Sequence, residues 1–245
     1  MRAIILAAGR GKRMGDLTEK YPKAMLNLHG NPLIEWQMQA IRRAGITDTA
    51  IVKGYMGDVF SYKVNYFENT RWEQTNMLST LMCADSWLSQ HTCIVSYSDI
   101  IYTKEAVQAL KNSLGDISIT FDPNWLKLWE QRFDDPLSDA EIFKYENNIL
   151  IDVGGKAKGL DEIQGQYMGL LKFTVDGWQK TKKFLQELSS GITDKMDMTA
   201  LLKLMLKNNF KITVAAINSP WCEVDNINDY QLCQKIMHKN LFLPS

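Results

Sequence analysis

Several features that mark other classes of protein are missing from this sequence. Lys plus Arg number 28 and Asp plus Glu also number 28, so the net charge is zero. Nucleic-acid-binding proteins more often carry an excess of positive charge, and we therefore expect no nucleic-acid partner. Any phosphate-binding site must come from local charge rather than from the field of the whole chain.

Cysteine is scarce, and long apolar runs are absent. The sequence contains no Cys-x-x-Cys pair, which argues against a structural zinc site. We expect four buried, reduced thiols at Cys83, Cys93, Cys222 and Cys233. No run of 18 apolar residues occurs, so no membrane span is expected. The apolar start, residues 1–8, is too short for the core of a signal peptide, and we predict a cytoplasmic protein.

The order of apolar segments predicts an α/β fold. Short buried strands are expected at residues 3–6, 50–52, 93–99 and 117–121. They alternate with helical patterns at residues 32–45, 77–87 and 105–112. This alternation predicts a doubly wound, mostly parallel mixed sheet of the Rossmann-like type with helices on both faces.

The pattern changes in the second half of the chain. Residues 124–139 are aromatic and charged without a clear period. The expected elements that follow are two short strands in 142–153 around the turn Asn147-Asn148, a strand at 167–173, helices at 175–190 and 198–208, a strand at 212–216 and a closing helix at 227–239. We predict a single domain, residues 1–245, that carries a substrate-binding insertion at 124–173.

A glycine loop follows the first strand. Gly9 and Gly11 allow the backbone to approach a triphosphate closely, and Arg10, Lys12 and Arg13 add positive charge. The dinucleotide-binding fingerprint needs a third glycine and the P-loop needs Gly-Lys-Ser/Thr, and the sequence has neither here. The glycines alone leave open an ordinary turn at the end of a strand.

Pro22-Lys23 adds a second signal. The stretch Leu6–Lys23 resembles the nucleotidyltransferase signature LAAGxGxRM…PK in order, spacing and position. That family includes sugar-1-phosphate nucleotidylyltransferases and phosphocholine cytidylyltransferases. The resemblance implies that Arg13 and Lys23 are catalytic and hold the phosphates. It also implies a nucleotide-binding set of Leu6, Ala8, Gly9, Gly11, Asn76 and Ser98.

Two aspartates are candidates for holding Mg²⁺, which neutralises a polyphosphate with the help of one or two carboxylates. Asp99 ends an expected strand, where open α/β sheets bind ligands, although a turn or helix cap is the alternative. The stretch Glu223–Tyr230 resembles the E-x-D-N-x-N-D-Y ending of phosphocholine cytidylyltransferases. The resemblance implies that Asp225 is the second metal ligand; a helix N-cap is the alternative for Asp225.

Recognition of the two substrates is predicted from polar and aromatic residues. Asn76 precedes a helix and can both donate to and accept from cytosine, or cap that helix. Aromatic faces beside a carboxylate suit an ammonium group, although any single tryptophan can simply belong to the core. A glycine-lysine segment at 154–157 resembles a subgroup near the phosphocholine and phosphoglutamine cytidylyltransferases, and it implies that Lys156 binds the acceptor phosphate. The acceptor candidates are Trp129, Arg132, Lys156, Tyr167, Gly169, Trp221 and Glu223.

The function that the resemblance implies is transfer of CMP from CTP to a small phosphorylated amine or amino acid, with release of pyrophosphate. We expect Mg²⁺ as cofactor, a role in modifying surface polysaccharide, and a homodimer as one arrangement. The alternatives are a sugar-1-phosphate nucleotidylyltransferase and a degenerate nucleotide-sensing or scaffold subunit. The presence of Lys23, Asp99 and Asp225 argues against degeneracy.

Overall fold

The computed structural model describes residues 1–237, so the predicted end of the last helix, at 238–239, lies outside the described residues. The strands are β1 Arg2–Ala7, β2 Asn27–Leu28, β3 Asn31–Pro32, β4 Thr49–Lys53, β5 Asn65–Glu68, β6 Cys93–Tyr97, β7 Ile100–Tyr102, β8 Ile117–Asp122, β9 Glu141–Glu146, β10 Ile149–Lys156, β11 Gln166–Phe173, β12 Thr213–Ala216 and β13 Trp221–Glu223. The α-helices are α1 Leu33–Arg43, α2 Met77–Met82, α3 Asp85–Leu88, α4 Lys104–Asn112, α5 Leu126–Arg132, α6 Val175–Gln186, α7 Ser190–Thr193, α8 Met198–Lys207 and α9 Ile227–Met237. In this part of the chain no helix combines the length and the apolar character needed to cross a membrane.

A nine-stranded sheet organises the molecule, in the order β5-β4-β1-β6-β11-β8-β12-β10-β9. Seven of these strands run in one direction, and only β11 and β10 run against them. The fold class is therefore confirmed: an α/β protein with a mixed, mainly parallel sheet.

The sheet is covered by apolar residues on both faces, which explains the continuous hydrophobic run of β1. Ala3 and Ile5 belong to one buried cluster, together with residues of α1 and α4. Ile4 and Leu6 belong to the cluster on the other face, together with residues of α2, α6 and α8. Successive side chains of a strand point to opposite faces, so a strand in the middle layer must be apolar at every position.

Three local predictions were wrong, and one helix was not predicted. The expected helix at 77–87 is two short helices, α2 and α3, and residues 124–139 contain α5, whose single buried face is too short to show a helical period. The strand expected to end at Asp99 ends at Tyr97, so that Asp99 lies in the bend between β6 and β7. Cys83 is half-buried, whereas the other three thiols are buried.

Residues 124–173 contribute to the main sheet. Within them, β9 and β10 form an edge hairpin, and the turn residues Asn147 and Asn148 have φ of 49° and 60°, as a tight hairpin turn requires. β11 lies in the middle of the sheet, between β6 and β8. The assignment of 124–173 as a substrate-binding insertion stays a prediction.

Candidate active site

Two adjoining clefts open at the carboxyl ends of β1 and β6, and they share Arg13 and Tyr97. This is the edge at which parallel sheets bind ligands. The first cleft has a volume of about 300 Å³ and is lined by Leu6, Ala8, Gly9, Gly11, Arg13, Lys23, Trp72, Thr75, Asn76, Met77, Thr80, Tyr97, Ser98 and Asp99. It brings together all eight predicted nucleotide-binding and catalytic residues and one of the two predicted metal ligands.

The glycine loop has the shape that its sequence predicts. Gly11 has φ of 76°, and a Cβ atom on it would lie 2.7 Å from Cβ of Lys23. A side chain at Gly11 would therefore be strained and would displace Lys23. A Cβ atom on Gly9 would meet no atom of the described part of the chain within 4 Å, so the backbone there is open to close approach by a ligand.

Lys23 lies at the centre of a charge cluster. Its Nζ is 2.6 Å from Oδ2 of Asp99 and 3.1 Å from Oδ1 of Asp225, and Arg13 donates to the same Oδ1 at 2.9 Å. Lys23 is 8% exposed, and burial by itself would lower its pKa; the two carboxylates outweigh burial and raise it. Burial would raise the pKa of Asp225, but the charges of Lys23 and Arg13 lower it. The cluster therefore keeps the ammonium and the carboxylate of Asp225 ionised.

The two aspartates fit a Mg²⁺ ion that also binds a polyphosphate. Oδ1 of Asp99 is buried and has no hydrogen-bond partner among residues 1–237, although its sister oxygen binds Lys23. A buried carboxylate oxygen without a donor is costly unless a ligand completes it. Among the described residues no group of three or more His, Cys, Asp or Glu side chains forms a metal cage. One or two carboxylates are what Mg²⁺ usually takes from a protein when phosphates and water supply the rest.

Asn76 serves as a helix cap and also faces the first cleft. Its Oδ1 accepts from the backbone N–H of Met77 at 2.8 Å, and its Nδ2 donates to the carbonyl of Lys195 at 3.2 Å. The side chain of Asn69 supports the same loop through hydrogen bonds to the hydroxyls of Thr75 and Thr80, both 3.0 Å. The two interpretations of Asn76 are thus compatible.

The second cleft is strongly acidic. Its volume is about 270 Å³, and it is lined by Arg13, Tyr97, Trp129, Asp139, Glu141, Gln166, Tyr167, Met168, Gly169, Thr199, Glu223 and Asp225. Burial is the largest cause that raises the pKa of Asp139, Glu141 and Glu223, and neighbouring carboxylates raise each further. Arg132 pairs with Glu223, and Lys23 and Arg13 pair with Asp225, yet the pKa values of Asp139, Glu141 and Glu223 remain raised. The cleft is therefore suited to a cationic group.

A glycine shapes the wall between the two clefts. Gly169 has φ of 82°, and a Cβ atom on it would lie 2.6 Å from the ring of Tyr97. The ring of Tyr97 meets that of Tyr167 edge to face at 5.9 Å. Gly169 is therefore required for the tyrosine pair that separates the clefts, which is a structural reason for a residue predicted as part of the acceptor site.

Three predicted acceptor residues lie outside both clefts. Trp221 is buried and donates its indole N–H to Asp122 at 2.8 Å. Lys156 is exposed at the end of β10, where it pairs in register with Glu141. Arg132 is engaged in ion pairs beneath the second cleft. These positions give no direct contact to either cleft, and the roles predicted for the three residues stay predictions.

Asp225 does not cap the last helix. Asn226 precedes α9, and its Oδ1 accepts from the backbone N–H of Asp229 at 3.0 Å, which is the usual capping contact. The carboxylate of Asp225 instead faces Lys23 and Arg13. The cap alternative for Asp225 is therefore wrong.

Sequence reasoning missed several lining residues. Asp139 lies two positions before Glu141, the first residue of β9, and this acidic spacing is visible in the sequence. Thr199 and Trp72 carried no such signal, because they reach the clefts from α8 and from the loop after β5.

Comparison with known proteins agrees with this geometry. Residues 3–125 match the family model of the MobA-like NTP transferase domain. The chain is 34% identical, over 95% of its length and 98% of the relative's, to a CTP:phosphoglutamine cytidylyltransferase of Campylobacter jejuni. The fold is shared with a CTP:phosphocholine cytidylyltransferase from Streptococcus pneumoniae, with a TM-score of 0.72, 20% identity and coverage of 96% of this chain and 98% of that one. It is also shared with the inositol-1-phosphate CTP transferase from T. maritima, with a TM-score of 0.74, 20% identity and coverage of 97% and 96%. The resemblance seen in the sequence is thereby confirmed: the chain belongs to the MobA-like NTP transferase family and is a nucleotidyltransferase.

Proposed function

We propose that this enzyme transfers CMP from CTP to a small phosphorylated amine or amino acid and releases pyrophosphate. The observation that carries the proposal is the acidic cleft that adjoins the glycine-loop cleft and shares Arg13 with it. One cleft suits a triphosphate, and the other suits a cation that carries a phosphate.

CTP would lie in the first cleft. The backbone at Gly9 allows close approach, and Lys23 and Arg13 supply the positive charge for the phosphates. Asn76 faces this cleft, and beside its hydrogen bonds to Met77 and Lys195 its amide retains a second N–H and a second oxygen lone pair, the donor and acceptor that cytosine needs. Asp99 and Asp225 would hold Mg²⁺, which would neutralise charge that develops on the phosphates.

The acceptor would place its amine in the second cleft. Glu223, Asp139 and Glu141 would attract an ammonium group, and Trp129 lines the same cleft. A sugar phosphate brings no positive charge to these carboxylates, whose pKa values are raised by burial and by neighbouring carboxylates, whereas an ammonium group would stabilise their ionised form. The acidic lining therefore favours an amine over a sugar.

The reaction needs no covalent intermediate. An oxygen of the acceptor phosphate attacks the α-phosphorus of CTP in line, forms the new phosphoanhydride bond, and breaks the bond between the α-phosphorus and the oxygen that bridges to the β-phosphate. Pyrophosphate leaves with that electron pair. A phosphate is already anionic at neutral pH, so the residues act by positioning and charge stabilisation. Arg13 lines both clefts and can neutralise both partners as they approach.

The relatives support this assignment. The relative from Campylobacter jejuni is a CTP:phosphoglutamine cytidylyltransferase, and a phosphorylated amino acid carries an amine that the acidic cleft would attract. Relatives over part of the chain include choline-phosphate and 2-aminoethylphosphonate cytidylyltransferases, whose acceptors also carry a positively charged nitrogen. We further propose a cytoplasmic location, because CTP is found there, and a homodimer as one arrangement.

The test crosses four nucleoside triphosphates with phosphocholine, phosphoethanolamine, phosphoglutamine and glucose 1-phosphate, and measures pyrophosphate release in Mg²⁺. We expect the highest kcat/KM with CTP and an amine-bearing acceptor. If glucose 1-phosphate is used as well as any amine, the sugar nucleotidylyltransferase alternative replaces this proposal. Release of no pyrophosphate with any pair would favour a sensing or scaffold subunit.

A further inference from the structure

A buried ion pair joins two helices behind the site. The side chains of Arg132 on α5 and Asp229 on α9 are 1% and 0% exposed. Nε of Arg132 lies 2.9 Å from Oδ1 of Asp229, and one terminal nitrogen lies 3.2 Å from Oδ2. The contact is two-pronged, which fixes orientation as well as distance.

Asp229 also holds the backbone that carries Asp225. Its Oδ2 accepts from the backbone N–H of Asp225 at 3.1 Å and from the side-chain amide of Asn226 at 2.9 Å. The carboxylate of Asp229 therefore fixes where the backbone of Asp225 lies in space.

Arg132 holds residues of the second cleft in the same way. Its other terminal nitrogen donates to Oε2 of Glu223 at 3.1 Å, and its guanidinium lies 4.8 Å from the ring of Trp129. The indole N–H of Trp129 donates in turn to Asp139 at 3.1 Å. One guanidinium thus supports two of the carboxylates that line the second cleft.

Such a pair is poorly explained by stability alone. A buried ion pair gains little net free energy, because desolvation of both charges offsets their attraction. The planar guanidinium nevertheless fixes several partners in one geometry, which lysine does not do. The contacts made by Arg132 and Asp229 end on Asp225, Glu223 and, through Trp129, Asp139.

We propose that Arg132 and Asp229 are positioning residues. They fix Glu223 and Asp139, which line the second cleft, relative to Asp225, the proposed metal ligand. This inference rests on the proposed function for the roles of Glu223 and Asp225. It differs from a direct contact between Arg132 and a carboxylate of the acceptor. In a positioning role, Arg132 affects every acceptor alike.

The test uses Arg132→Lys and Asp229→Asn, with Asp85→Asn as control. Asp85 also accepts from a cation and an indole, Lys182 at 2.6 Å and Trp178 at 2.8 Å, but it lies outside both clefts. We expect kcat/KM for the acceptor to fall about 10²-fold, the scale of a misplaced reactant. The fall should be similar for phosphocholine and for a phosphorylated amino acid. Mn²⁺ affinity, measured by electron paramagnetic resonance, should fall about 10-fold, as when a residue that supports a metal ligand is changed.

Trp129→Phe separates the two halves of the network. It keeps the ring and removes the donor to Asp139, so we expect a higher acceptor KM and an unchanged Mn²⁺ affinity. An effect of Arg132→Lys confined to acceptors with a carboxylate would show direct contact and overturn the proposal. The proposal would also be overturned if Arg132→Lys and Asp229→Asn both kept the Mn²⁺ affinity and the acceptor KM of the wild type. Unfolding of both variants under conditions where Asp85→Asn stays folded would overturn it as well. If the wild type transfers no CMP, the proposed function fails, and Mn²⁺ affinity still decides the role of the pair.

Discussion

The ammonium of Lys23 lies 2.6 Å from a carboxylate oxygen of Asp99, although 76 positions separate the two residues. The pair forms because the glycine loop after β1 and the bend after β6 meet at the same edge of the sheet. Asp225 approaches the same ammonium from the last part of the described chain. Three residues that were predicted separately therefore form one cluster of ion pairs. Substitution of each residue should have a distinct effect on turnover or binding.

Asp99→Asn should nearly abolish turnover while the protein stays folded. The substitution removes one charge from the proposed metal site, and Asp99 lies in a bend outside the core strands. Turnover and melting temperature measure the two effects. Asp116→Asn, which removes an exposed partner of Lys180, is the control and should leave turnover unchanged. A near-normal kcat at saturating Mg²⁺ would contradict the metal assignment.

Lys23→Met should lower kcat/KM about 10²–10³-fold, the scale seen when one preorganised charge donor is removed. Methionine keeps the apolar stem that packs against Gly11 and removes only the ammonium. Steady-state kinetics and thermal melting check this prediction. A collapse of the melting temperature in step with the rate would show that Lys23 is a structural residue.

Asn76→Asp should raise the KM for CTP about tenfold, which corresponds to about 1.4 kcal/mol for one lost hydrogen bond. Aspartate keeps the helix cap but loses the hydrogen bond to the carbonyl of Lys195, so the melting temperature should fall only slightly. It lacks the amide donor that cytosine would need. Asn76→Ala is the companion variant and should lower both stability and CTP affinity. An unchanged KM in both variants would leave Asn76 as a cap alone.

Binding of phosphocholine should weaken as the pH falls through the raised pKa of Glu223. Burial raises that pKa, so the carboxylate takes up a proton at a higher pH than an ordinary glutamate and loses its attraction for the ammonium. The acceptor KM, measured from about pH 5 to about pH 9, should therefore be lowest at high pH. Glu223→Gln should raise the acceptor KM, leave the CTP KM alone and flatten this dependence. Titration of the acceptor phosphate is common to both proteins and cancels in the comparison. The same pH profile in both would exclude Glu223 as the ammonium partner.

The sequence could group the glycine-loop residues of the first cleft because these residues are local. Gly9, Gly11 and Lys23 lie within one loop directly after a buried strand, and their spacing matches a family signature. Strand β1 and helix α1 were equally visible, since their apolar periods are long enough to be read. The short helix α5 was not visible, because one buried face of two residues shows no period.

The sequence by itself determined the α/β class, the glycine loop and the identity of the charged groups, since each depends on neighbours along the chain. Only the tertiary structure decided which groups meet. It placed Asp99 and Asp225 on one ammonium, added Asp139, Glu141 and Thr199 to the second cleft, and moved Arg132 beneath that cleft. These contacts join segments up to 202 positions apart, and their distances follow from sheet order and helix packing, which no local pattern encodes.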